Sequence, residues 1–167
     1  MGEDTSAINA HAAAISLDSR LAAAEILQEL VVDVTDLSLI GKQAHWNLRG
    51  PSFRDLHLQL DELVDVAREG ADTLAERLLQ LGVAADGRAG TISRNSHLGK
   101  FPEGRVSDDQ VVDLMVAALE TVSQVGHSRL GQLGELDPVS QDLVISVLEG
   151  VEKQLWMFEA HRERERS

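Results

Sequence analysis

Three observations predict an all-α protein built as a four-helix bundle. Its three prolines, Pro51, Pro102 and Pro138, leave long segments free of helix breakers. From Phe53 onward, Phe53, Leu56, Leu60, Leu63, Ala67, Ala71, Leu74, Leu78 and Leu81 recur every three or four residues, which is one face of a helix and not a strand alternation. The chain has 167 residues, 43% of them apolar, which suits a single compact domain. No window approaches the ~18 uninterrupted apolar residues of a membrane span.

Residues 1–17 read as an N-terminal tail, 18–161 as the bundle and 162–167 as a short C-terminal tail. The first helix covers about 19–46 and sets Leu27, Val31, Val34 and Ser38 on one face. Pro51 suits the first turn of the second helix and Gly82 its stop, giving about 51–82. Residues 83–106 are polar and glycine-rich and form a long connection. Ser107 with Gln110 is a capping box for the third helix, which continues through Val111, Met115, Leu119 and Val122 to about 132. Asp137 followed by Pro138 opens the fourth helix, with Leu143, Val147, Val151, Leu155 and Phe158 on its apolar face. A long crossover between the second and third helices makes that pair parallel, as in ferritin-like topologies.

Charge and composition narrow the function. With 28 acidic against 15 basic residues, the net charge is −13. Such a chain has no general attraction for phosphate backbones, and cations are its natural guests. The absence of cysteine removes disulfides, thiolate zinc sites and thiol nucleophiles together. The N-terminus, Met-Gly-Glu-Asp, is acidic with no apolar stretch after it, which predicts a cytoplasmic protein with no membrane association.

The second helix carries His57, Asp61, Asp72 and Glu76. At 100° per residue these fall within an arc of about 100° beside the leucine stripe. His57 and Asp61 are one turn apart, as are Asp72 and Glu76, but the pairs lie ~16 Å from each other along the axis. One ion with ligand distances near ~2 Å cannot touch both pairs in one chain. It could touch both if a second copy of the helix packed antiparallel across a two-fold axis. Position 57 then faces 76 and 61 faces 72, each pair of numbers summing to 133. The same rule sets Asp65 opposite Arg68. His45 and His57 straddle the turn at Asn47–Ser52 almost symmetrically, so an antiparallel hairpin brings the two imidazoles together. Gly41, one turn before His45, is expected to leave space beside it. Two imidazoles with carboxylates suit iron, zinc or manganese. Bundle-internal di-iron sites use Glu-x-x-His, which this chain lacks, so the subunit interface is the available place for a metal.

The run Lys42-Gln-Ala-His45-Trp46-Asn47, then Gly50, Phe53, His57 and Asp61, and finally Asp72, Ala75-Glu76-Arg77 and Leu81-Gly82, resembles the Dps family, the DNA-binding proteins from starved cells or mini-ferritins. The likeness is densest over 40–82 and extends across about 20–160. It implies a ferritin-like hollow homododecamer with ferroxidase centres at the two-fold interfaces. One subunit would give His45, His57 and Asp61, and its neighbour Asp72 and Glu76. It further implies that Fe(II) is oxidised preferentially by hydrogen peroxide and stored inside as Fe(III) mineral, protecting the cell and its DNA. A structural zinc or manganese assembly and a nucleoid-compacting shell are the rival functions.

Smaller expectations accompany the resemblance. Lys42 matches a family lysine near the site, or is a surface lysine. Trp46 follows a ligand and is placed either to surrender an electron to a radical or to pack in a core or interface. Asp137 and Asp142 match the acidic region lining three-fold iron pores in the family, although a helix N-terminus favours carboxylates in any case. DNA is the point of departure. The first seventeen residues hold no Lys or Arg, and Arg162, Arg164 and Arg166 alternate with Glu163 and Glu165, so charge does not favour DNA binding.

Overall fold

A computed structural model describes residues 15–164. The tails predicted at both ends fall largely outside those residues. Helix α1 spans Leu17–Asn47. Its first turn is capped by Ser16, whose hydroxyl accepts the Ser19 N–H at 3.1 Å. Strand β1, Leu48–Arg49, leads through a turn into α2, Phe53–Gln80. Pro51 therefore lies in the turn and not in the helix. Gly82, with φ 85°, supplies the left-handed residue that ends this segment.

The connection from 83 to 106 holds a short helix α3, Ala89–Asn95, and ends in strand β2, Val106–Ser107. It is fastened to α1 by polar contacts. Gln28 exchanges two hydrogen bonds with the backbone of Asp86, at 2.8 and 3.0 Å. Asp33 is fully buried and accepts both the backbone N–H and the ring N–H of His97, each at 2.9 Å. These bonds satisfy a buried carboxylate that would otherwise be costly.

Helix α4, Asp108–Leu136, is capped by Ser107, which accepts the Gln110 N–H at 3.4 Å. It outruns the predicted end at about 132. Asp137 N–H still bonds Leu133 O at 2.7 Å, and only Pro138, with no N–H to give, forces the break. Helix α5, Pro138–Arg164, continues three residues into the segment predicted as a tail.

The hairpin joining α1 to α2 and the one-residue joint between α4 and α5 make each pair antiparallel. Strands β1 and β2 pair in parallel, Leu48 with Val106 and Arg49 with Ser107. Both α2 and α4 therefore set out from the same end of the bundle, so the predicted parallel pair is present. Two apolar clusters fill the interior. One, at the hairpin end, gathers Leu37, Ala44, Leu56, Leu60, Leu63, Met115, Leu119 and Phe158. The other, at the far end, gathers Leu27, Leu30, Leu74, Leu78, Leu133 and Leu148. Phe53, assigned from sequence to the core stripe, is 44% exposed and belongs to neither.

Candidate metal centre

His45 ends α1 and His57 begins the second turn of α2, so the hairpin sets their rings face to face, with centroids 3.6 Å apart and planes inclined by 25°. Each ring is locked by the other's backbone. His45 Nδ1–H donates to the His57 carbonyl at 3.0 Å, and His57 Nδ1–H donates to the His45 carbonyl at 3.2 Å. A carbonyl only accepts, so both Nδ1 atoms carry the proton and both Nε2 lone pairs are left for a metal. Phe53 stacks on His57 from the other side, centroids 5.0 Å apart, which accounts for its departure from the core. The four-residue spacing of Phe53 and His57 was the available signal for that contact.

Asp61, one turn beyond His57, completes the cluster. Each of His45, His57 and Asp61 offers a ligand atom within 4.8 Å of the other two. Asp61 Oδ1 also pairs with the Lys42 ammonium and lies 3.2 Å from His45 Nδ1. The Lys42 ammonium holds the Asp61 carboxyl below the usual carboxylate range, against the opposing effect of burial. The donors are two imidazoles and one ionised carboxylate, which fits a divalent transition metal. Lys42 supplies the positive charge this carboxylate otherwise lacks.

Asp72 and Glu76 do not join the cluster. They are exposed on α2, as are Asp65 and Arg68 on the same stripe. Asp72 lines a groove with Thr35, Ser38 and Arg68. Large apolar side chains flank this surface: Leu39, Leu58 and Leu79 are exposed, and Trp46 is 70% exposed, so Trp46 does not pack in the core of the chain. Gly41 serves a different purpose from the one predicted. A Cβ there would lie 2.7 Å from Leu63 Cδ2, so the glycine lets α1 approach α2 and does not make room at the site.

Asp137 and Asp142 are set apart by burial. Asp142 is exposed, whereas Asp137 is 1% exposed. Arg77 donates to Asp137 Oδ2 from Nε at 3.2 Å and Nη2 at 2.7 Å, and the Ser140 hydroxyl donates to the same oxygen. Burial would push the Asp137 carboxyl up, but the Ser140 hydroxyl and the Arg77 guanidinium outweigh it and bring it below its usual value. Asp137 also caps α5 through the Val139 N–H at 3.3 Å. Its carboxylate thus serves as a strut between the end of α2 and the start of α5.

Comparison with known proteins follows the same lines. A ferritin-like domain family matches residues 24–167. The fine tangled pili major subunit of Haemophilus ducreyi is 35% identical over 83% of this chain and 73% of its own length. DNA protection during starvation protein 2 of Deinococcus radiodurans is 36% identical over 81% of this chain, which spans 56% of that longer protein. The structure of Dps from Microbacterium arborescens in a high-iron form superposes with a TM-score of 0.83 at 33% identity, covering 87% of this chain and 95% of that one.

Proposed function

Because the chain belongs to the Dps family of ferritin-like proteins, we propose that it oxidises Fe(II) with hydrogen peroxide at centres shared between subunits and stores the ferric product in a dodecameric shell. One observation supports this best. His45, His57 and Asp61 form half a ligand set in the hairpin, while Asp72 and Glu76 stand exposed ~16 Å further along the same helix. An antiparallel pairing of two α2 helices brings each half-set to the other half of a neighbour. The exposed leucines and Trp46 around that stripe are the apolar surface such a contact would bury.

Iron is the substrate here. Imidazole Nε2 atoms bind Fe(II), and the carboxylates favour the ion more strongly as its charge rises, which draws oxidation forward. Two Fe(II) ions each lose one electron to one peroxide. The O–O bond breaks, two protons are taken up and both oxygens leave as water. Delivering both electrons together avoids hydroxyl radical, and Trp46 beside His45 is positioned to give up an electron should one form. On this reading the chain protects DNA by removing Fe(II) and peroxide. Coating DNA is disfavoured by the net charge of −13. Asp142 is the exposed carboxylate for an iron pore.

Complementation tests the shared site. His57→Ala and the double variant Asp72→Ala with Glu76→Ala should each assemble and lose rapid oxidation of anaerobic Fe(II) by peroxide. A mixed dimer of the two contains one intact centre, so subunits dissociated, mixed and reassembled should recover about one quarter of wild-type activity. No recovery from well-mixed shells would show that the two half-sets do not meet across a dyad. Peroxide that persists beside unoxidised Fe(II) in the wild-type shell would leave a structural metal as the better account.

A further inference from the structure

We infer that Asp108, which touches none of the candidate ligands, is a positioning residue for the His45–His57 pair and therefore for metal binding. This rests on the metal-centre reading above. Asp108 is the first residue of α4 and is only 6% exposed. Its Oδ2 accepts the Ser52 N–H at 2.9 Å, and its Oδ1 accepts the Asp109 N–H at 3.2 Å. Ser52 opens α2, so the carboxylate lies between the N-termini of two parallel helices, where both backbone dipoles favour a negative charge.

Gly50 makes room for it. That residue has φ 143°, and a Cβ there would come within 2.2 Å of Asp108 Cγ. The turn from Gly50 to Phe53, closed by the Phe53 N–H to Gly50 carbonyl bond at 3.1 Å, is thus shaped around a side chain sent in from another helix. Strand pairing of Leu48 with Val106 and Arg49 with Ser107 seals the same junction.

The consequence reaches the histidines because they flank this turn, five residues before Gly50 and five after Ser52. Their mutual Nδ1–H to carbonyl bonds, at 3.0 and 3.2 Å, depend on the register of α1 against α2. A slip of about 0.5 Å would take them beyond good hydrogen-bond distance and release the tautomers that leave Nε2 free. Asp108 fixes that register from outside the site.

The test compares assembled wild type with Asp108→Ala, Asp108→Asn and, as a control for lost stability alone, Val144→Ala in the far apolar cluster. Hydrogen exchange of the metal-free shells is followed in peptides covering 46–57. Co(II) is then titrated while its d–d absorption is recorded. Asp108→Ala should speed exchange in the turn, alter the Co(II) spectrum and weaken binding about tenfold, whereas Asp108→Asn, which keeps an acceptor for Ser52, should stay within about threefold. Val144→Ala should melt earlier yet bind Co(II) as the wild type does. Should Asp108→Ala fail to assemble, Asp108→Ser, which shortens the side chain and removes its carboxylate, is read in the same two ways. Wild-type exchange in the turn, or an unchanged Co(II) affinity and spectrum, would overturn the inference. A wild-type shell that takes up no Co(II) would instead sink the metal-centre reading, and the exchange comparison would still decide whether Asp108 holds the turn.

Discussion

Arg77→Ala should cost the protein about 3 kcal/mol of stability at neutral pH, because it strands a buried carboxylate. Asp137 is 1% exposed and takes two hydrogen bonds from the guanidinium, at 2.7 and 3.2 Å. Breaking a buried ion pair by removing one member costs ~3–5 kcal/mol. The low end applies here, since Asp137 keeps the Ser140 hydroxyl and the Val139 N–H. The effect has a pH signature. The folded-state pKa lies below 3.8, so the pair's contribution is complete above that value and fades as pH falls through the lower folded one. In Arg77→Ala the guanidinium no longer opposes burial, and the carboxyl protonates at higher pH. Urea unfolding at fixed protomer concentration should therefore show a wide gap between variant and wild type at pH 7 and a narrow one near pH 3. A gap below about 0.5 kcal/mol at pH 7, or one that widens with acid, would refute the assignment of Asp137 as a strut.

Asp137→Asn should likewise lower stability, whereas Asp142→Asn should leave stability unchanged and slow Fe(II) uptake, measured by stopped-flow absorbance. Lys42→Met should tighten Fe(II) binding at low ionic strength in an anaerobic titration, because it removes the ammonium that competes for Asp61; weaker binding would contradict that role. Leu60→Ala, at the centre of the hairpin-end core, should cost ~2–5 kcal/mol by chemical denaturation. A gel shift at physiological salt should show no retention of DNA by the intact shell.

Much of the architecture was legible in the sequence because it depends on local rules. The three-and-four spacing of α2 and the Ser107 and Asp137 caps specify helices without knowledge of any neighbour. Deviations arise where a partner overrides the local rule. Phe53 continues the apolar stripe by number, yet it leaves the core to stack on His57. The end of α4, expected at about 132, is set by Pro138 and comes at Leu136. Gly41 was assigned to the site and instead answers to Leu63 on the facing helix.

The metal centre divides the same way. Spacing alone placed His57 above Asp61 and Asp72 above Glu76, because one turn of helix is a fixed length, and hairpin symmetry brought His45 to His57. Sequence could not supply the reciprocal Nδ1–H to carbonyl bonds that expose both Nε2 atoms, the Lys42 ammonium on Asp61 or the Arg77 grip on Asp137. Nor could it find Asp108, a helix-start acid like many others, seated in a turn 56 residues away. Helical periodicity is written into neighbouring residues and needs only the chain to be read. Burial, tautomer and ion pairing depend on atoms that meet only when distant segments pack, so the tertiary structure alone decided them.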